Sequence, residues 1–118
     1  MTAATVAMAD ALRASDALDV PREALLDVLS SGPLGMPYAL QKAQLMTVGE
    51  YSPGFPVELA LKDICLMEQA EKQTPPLVRE LDRRLTSAAD AGHAQDDLSR
   101  GRGSRLRSPR TTPACIDA

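Results

Sequence analysis

Tryptophan is absent from this sequence, and aromatic residues make up only 3% of it, one Phe and two Tyr. Any core must therefore be built from Leu, Val, Ile, Met and Ala. That palette favours helices, because strand-rich domains lean on aromatic and β-branched side chains. Histidine occurs once, at His93, and cannot make a zinc site alone, so no metal site is expected. Cysteine occurs twice. Neither Cys65 nor Cys115 has a neighbouring Cys or a metal-ligand partner at useful spacing, and both read as unpaired thiols of a reducing compartment. No apolar run approaches the roughly 20 residues of a membrane span. The N-terminus lacks a basic region followed by an apolar core, since Asp10 and Asp16 interrupt it early. A soluble, cytoplasmic protein without membrane contact is the expectation.

What is present is enough for one domain: 118 residues, 44% of them hydrophobic. The net charge of −3 conceals an asymmetry. Residues 1–98 hold 15 acids against 8 Lys and Arg, whereas residues 99–118 hold five Arg against Asp117 alone. The tail from Arg100 has Gly, Arg, Ser and Pro without apolar periodicity, and residues 100–118 are expected to be disordered. Five Arg without interleaved aromatics argue only weakly for phosphate backbones, so a nucleic-acid partner is set aside.

Residues 2–18 read as an Ala-rich helix with Val6, Met8, Ala9 and Leu12 on one side. Pro21 opens a second helix, with Ala24, Leu25, Val28 and Leu29 inside and Ser30, Ser31, Gly32 and Pro33 ending it. A third spans Pro37 to Val48 around the stripe Ala39, Ala43 and Met46, and Gly49 stops it. After the turn-rich loop from Glu50 to Phe55, Pro56 starts a fourth helix running to about Gln73. Thr74 is expected to cap a fifth, with Pro75 at its first position and Leu77, Leu81, Leu85 and Ala88 as its stripe, ending at Gly92. A short turn follows around Asp96, Asp97 and Leu98. No strand competes, so the fold is all-α, a bundle of about five helices over residues 1–99.

The fourth helix holds the informative residues. The i±3 and i±4 neighbours of Asp63 are Leu59, Ala60, Leu66 and Met67, all apolar, which puts Asp63 on an inward stripe. A carboxylate there either bonds loop amides or caps another helix as a core residue, or faces a cleft as a site residue. Lys62 has Glu58 one turn before it, so a surface ion pair suffices to explain it. Phe55, just ahead of the helix, suits a hydrophobic staple. Tyr38 and Tyr51 read as packing residues, and Ser30-Ser31-Gly32 as a helix stop that also offers hydroxyls and amides to a small anion.

The ordered series resembles the C-terminal domain of the β-hydroxyacid dehydrogenases, the 3-hydroxyisobutyrate dehydrogenase-like and 6-phosphogluconate dehydrogenase-like families. The resemblance covers about residues 1–99. It rests on the run from Asp19-Val20-Pro21 to Ser30-Ser31-Gly32, on Tyr51-Ser52-Pro53-Gly54-Phe55, on the pair Lys62-Asp63, and on Ala91-Gly92-His93 followed by Asp96-Asp97-Leu98-Ser99. It implies NAD or NADP as cofactor, a small 3-hydroxy acid as substrate, and subunit contacts. By matching position, Phe55, Ser31 and Gly32 would lie toward substrate, Lys62 toward the cofactor, and Asp63 beside the catalytic lysine in a supporting role. A Gly-rich dinucleotide fingerprint is not found in the sequence. By helix register the catalytic Lys falls just before Met1, so the chain alone is expected to bind no cofactor and to be inactive, while self-associating. The competing expectation is a non-catalytic helical association module.

Overall fold

Proline precedes or opens four of the five helices. Pro has no N–H to leave unsatisfied at a helix start, and its ring fixes φ near the value the first turn needs. In a computed structural model, which describes residues 1–101, α1 spans Thr2–Ala17, α2 Arg22–Ser31, α3 Pro37–Val48, α4 Val57–Ala70 and α5 Pro76–Ala88. Pro21, Pro56 and Pro75 are the N-caps of α2, α4 and α5, and Pro37 and Pro76 lie within the first turns of α3 and α5. Thr74 is therefore not the cap expected for α5, and Pro76 follows Pro75 as the first helical residue. A π-helical turn, Ala89–His93, continues α5, with Gly92 at φ 94. A 3-10 turn, Leu98–Gly101, closes the described chain. No strand occurs among the described residues; Pro56 and Asp97 form one isolated bridge. Arg100 and Gly101, counted with the expected tail, fall within this turn, and the rest of that tail, 102–118, lies outside the described residues.

α1 is the central element. One of its faces packs on α3, and another meets α5 and the 3-10 turn. Two apolar clusters result. Ala9 and Leu12 join Ala43 and Met46 of α3, while Val6 joins Val57, Ala60 and Ile64 of α4, Val78, Leu81, Leu85 and Ala88 of α5, and Leu98. Val6, Ala9, Leu12, Ala39, Ala43, Met46, Leu81, Leu85 and Ala88 are buried as their spacing predicts. Leu77 is not part of the α5 stripe: it is exposed, and Val78 takes its place one residue on. α2 lies at the margin with no fully buried residue. Its inner side is Leu25, Leu26 and Leu29, whereas Ala24 and Val28 face outward. Cys65, expected to be an unpaired thiol, is disulfide-bonded, and Cys115 lies outside the described residues.

Candidate functional site

The N-terminus of α4 has no side-chain cap, and its orphan donors need acceptors. They find them in the backbone of the segment after α5. The Val57 N–H donates to the Asp96 carbonyl and the Glu58 N–H to the Ala94 carbonyl, each at 3.0 Å. The same segment grips the preceding loop, with the Asp97 N–H donating to the Tyr51 carbonyl at 3.0 Å and the Leu98 N–H to the Phe55 carbonyl at 2.8 Å. Gly92, in the left-handed region, turns the chain out of α5 toward this position.

At the centre of this junction lies a fully buried carboxylate. Lys42 of α3 donates to both oxygens of Asp97 at 2.7 Å. Oδ2 also accepts the Gly54 N–H at 3.1 Å and the Phe55 N–H at 3.0 Å. Oδ1 accepts the Ser99 N–H at 3.0 Å and the Ser99 hydroxyl at 2.7 Å. Burial alone would raise the pKa of Asp97, but the Lys42 ammonium, the Phe55 amide and the Ser99 donors outweigh it and hold the carboxyl far below the usual carboxylate range. Lys42 in turn lies 5.4 Å from the Tyr38 ring centroid. A second, half-exposed cluster flanks the junction: His93 bonds Asp96 at 2.9 Å, and Arg100 stacks over Tyr51 at 4.7 Å.

These lowered carboxylates predict acid sensitivity. On α5, hydrogen bonds from Arg83 and then Arg84 bring Glu80 down to about 2. A carboxyl whose folded pKa is depressed contributes stability that is present above its unfolded value, near 4, and is lost as pH falls through the folded value. Asp82 and Glu68 are raised by burial and act in the opposite sense, offsetting part of the loss. The melting midpoint is expected to hold between about pH 7 and 5 and to fall from about pH 4 toward 2. A midpoint that rises as pH falls below about 4 would contradict it.

The residues singled out in the sequence are placed as follows. Phe55 is half-buried, packed on the α1–α4–α5 cluster, with both backbone groups bonded to the Asp97–Leu98 segment. Asp63 is exposed, which corrects its assignment to the inward stripe. The core face of α4 is Val57, Ala60 and Ile64, and three of the apolar neighbours of Asp63 (Leu59, Leu66 and Met67) are themselves exposed. Lys62 is exposed too, and no ion pair with Glu58 forms among the described residues. Ser31 is exposed on α2, its hydroxyl donating to the Asp27 carbonyl at 2.8 Å, and Gly32 is the extended C-cap of that helix. α2 packs on α1 and α3, and no hydrogen bond or ion pair links Ser31 or Gly32 to Phe55, Lys62 or Asp63.

Sequence reasoning missed Lys42 and the carboxylate role of Asp97. The signal for Lys42 was available: it lies three residues after Ala39 and four before Met46, on the buried face of α3. A lysine there needs an anion brought by another element.

The family model described as the NAD-binding region of NADP-dependent 3-hydroxyisobutyrate dehydrogenase matches residues 1–100. A crystal structure of 3-hydroxyisobutyrate dehydrogenase from Salmonella typhimurium shares the fold, with a TM-score of 0.76 at 23% sequence identity. The match covers 86% of this chain and 36% of that one. No curated protein matches the chain.

Proposed function

The chain belongs to the NAD-binding family of NADP-dependent 3-hydroxyisobutyrate dehydrogenase, and from that premise we propose that it is the substrate-side and subunit-contact domain of an NAD(P)-dependent oxidoreductase acting on a small 3-hydroxy acid. The observation that carries this reading is the head of α4. Its loop presents a half-buried Phe55 on a fixed backbone, and the outward face of the same helix carries Lys62 and Asp63 among exposed Leu59, Leu66 and Met67.

The residues fit a contact with the cofactor rather than its cradle. Lys62 is exposed, with no ion-pair partner among the described residues, so its ammonium is free to meet a phosphate. Among the described residues, the glycines do not form the Gly-rich turn at a helix N-terminus that holds a pyrophosphate. That cradle would come from a nucleotide-binding domain outside these 118 residues. The chemistry such a nicotinamide cofactor would supply when bound is hydride exchange with the carbinol carbon of a hydroxy acid. In this reading Phe55 walls the pocket and excludes water, while Asp63 orients and tunes a lysine that handles the proton of the substrate oxygen. Ser31 and Gly32, on α2, would reach substrate only across an interdomain cleft.

Calorimetric titration and a coupled rate assay test this division of labour. The 118-residue chain is expected to bind NAD and NADP more weakly than about 1 mM and to oxidise no hydroxy acid. The chain joined to a nucleotide-binding domain is expected to do both. A cofactor-dependent rate from the chain alone would overturn the division. A folded, inactive fusion would overturn the dehydrogenase reading.

A second reading, a helical association module, is favoured by one feature. α4 is apolar around much of its circumference, with Val57, Ala60 and Ile64 inside and Leu59, Leu66 and Met67 outside, a pattern suited to a helix that a larger assembly covers. Self-association is the expected result in light scattering at tens of micromolar chain. A monomer throughout that range would count against it. No helix among the described residues is long and apolar enough to cross a membrane.

A further inference from the structure

Phe55 is held by both of its backbone groups. Its N–H donates to Asp97 Oδ2 at 3.0 Å, and its carbonyl accepts the Leu98 N–H at 2.8 Å. The Gly54 N–H donates to the same carboxylate oxygen, while its other oxygen is taken by Ser99. We propose that Asp97, paired with Lys42, is the positioning residue for Phe55: it sets the affinity for substrate through the backbone of the loop, without touching substrate itself. The proposal rests on the reading of Phe55 as a pocket wall.

The chemistry of the junction selects for this arrangement. Two separate sets of donors converge on Asp97, from Gly54 and Phe55 on one oxygen and from Ser99 on the other, and Lys42 bridges both. Only a group with an acceptor at each end serves both sets. An Asn amide accepts at one end and donates at the other, so it must abandon either the loop or Ser99. Glu is one methylene longer, and the Asp97 site is closed, with no solvent exposure into which the extra length could extend. Gly54 completes the fit. A Cβ there would lie 3.3 Å from Asp97 Oδ2, tighter than an ordinary contact, and 3.8 Å from Lys42 Nζ, so a side chain at this position crowds the carboxylate and loads its bonds to the loop by a few tenths of an ångström. It is this close approach that favours Gly54, since its φ is not in the left-handed region.

The test uses Gly54→Ala and Asp97→Asn, with Phe55→Ala as the reference. Gly54→Ala loads the contact while leaving the buried charge pair in place, so it reports even where Asp97→Asn fails to fold. In the 118-residue chain, amide hydrogen exchange at Phe55 is expected to speed up ~10-fold or more in Gly54→Ala, with the Leu81 and Leu85 amides of α5 within ~3-fold of the parent. In the chain joined to a nucleotide-binding domain, the same variant is expected to raise the Michaelis constant for the hydroxy acid ~10-fold, with kcat per folded molecule within ~3-fold. Exchange at Phe55 that only keeps step with Leu85 would overturn the proposal. So would an unchanged Michaelis constant in Gly54→Ala when Phe55→Ala raises it. If Phe55→Ala leaves the Michaelis constant unchanged, the pocket-wall reading falls and the proposal with it; faster exchange at Phe55 in Gly54→Ala distinguishes that case from failure of the clamp.

Discussion

Asp97→Ala is expected to destabilise the domain by about 3–5 kcal/mol, the usual consequence of removing one partner from a buried ion pair. At roughly 4–8 °C per kcal/mol for a domain of this size, the melting midpoint should fall by more than about 12 °C. Against a total stability of about 5–15 kcal/mol, a substantial unfolded fraction at room temperature is within reach. The reason lies in what stays behind. Lys42, 5% exposed, loses its acceptor, and the amides of Gly54, Phe55 and Ser99 lose theirs. Lys42→Met is expected to be milder, about 1–3 kcal/mol, because Asp97 would keep the donors of Gly54, Phe55 and Ser99. The double variant Lys42→Met, Asp97→Ala should recover little relative to Asp97→Ala, since removing the stranded ammonium does nothing for the stranded amides. Thermal melts of the four proteins decide the matter. A loss below about 1 kcal/mol for Asp97→Ala would show that the pair does not hold the junction.

The two acidic residues show how far the sequence could be read. Helix punctuation was legible, because it depends on single residues with local effects. Pro37 and Gly49 bound α3 as expected, and Gly92 turns the chain at the end of α5. The buried stripes of α1 and α3 were legible in the spacing of Val6, Ala9 and Leu12 and of Ala39, Ala43 and Met46. α4 was not. Apolar residues lie on so much of its surface that periodicity could not say which face turns inward, and Asp63 was assigned to the wrong one. The role weighed for Asp63, a buried carboxylate accepting loop amides, exists in this fold but is filled by Asp97. Its partners Lys42 and Gly54 stand 55 and 43 residues away in sequence. Nothing local in Asp96-Asp97-Leu98-Ser99 reveals a partner at that distance, whereas the lysine on the inner face of α3 did signal that an anion was needed somewhere. On α2, Ala24 and Val28 were assigned to the inner side and face outward: the helix is marginal, packing mainly on α1 and α3, and its leucines sit at the edge of the interface rather than within it.

The exposure of Asp63 sharpens the remaining prediction, because stability and function now separate. An exposed Asp with no ion pair among the described residues contributes little to folding, and Asp63→Asn is expected to change stability by less than about 0.5 kcal/mol. In the chain joined to a nucleotide-binding domain, the same change is expected to lower turnover by about 10- to 1000-fold if the carboxylate tunes the lysine that handles the substrate proton. The loss should appear in kcat, since the charge acts on proton transfer rather than on binding. Lys62→Ala, one residue away, is expected instead to raise the apparent Michaelis constant for NAD or NADP with kcat little changed, as removal of a contact equal in ground and transition states does. The pair therefore acts as an internal control: two neighbouring charges on one exposed helical face, neither needed for folding, with different kinetic signatures. Asp63→Asn with the parent's melting midpoint and the parent's kcat would rule out the site reading, and it would leave the outward face of α4 as a surface for association alone.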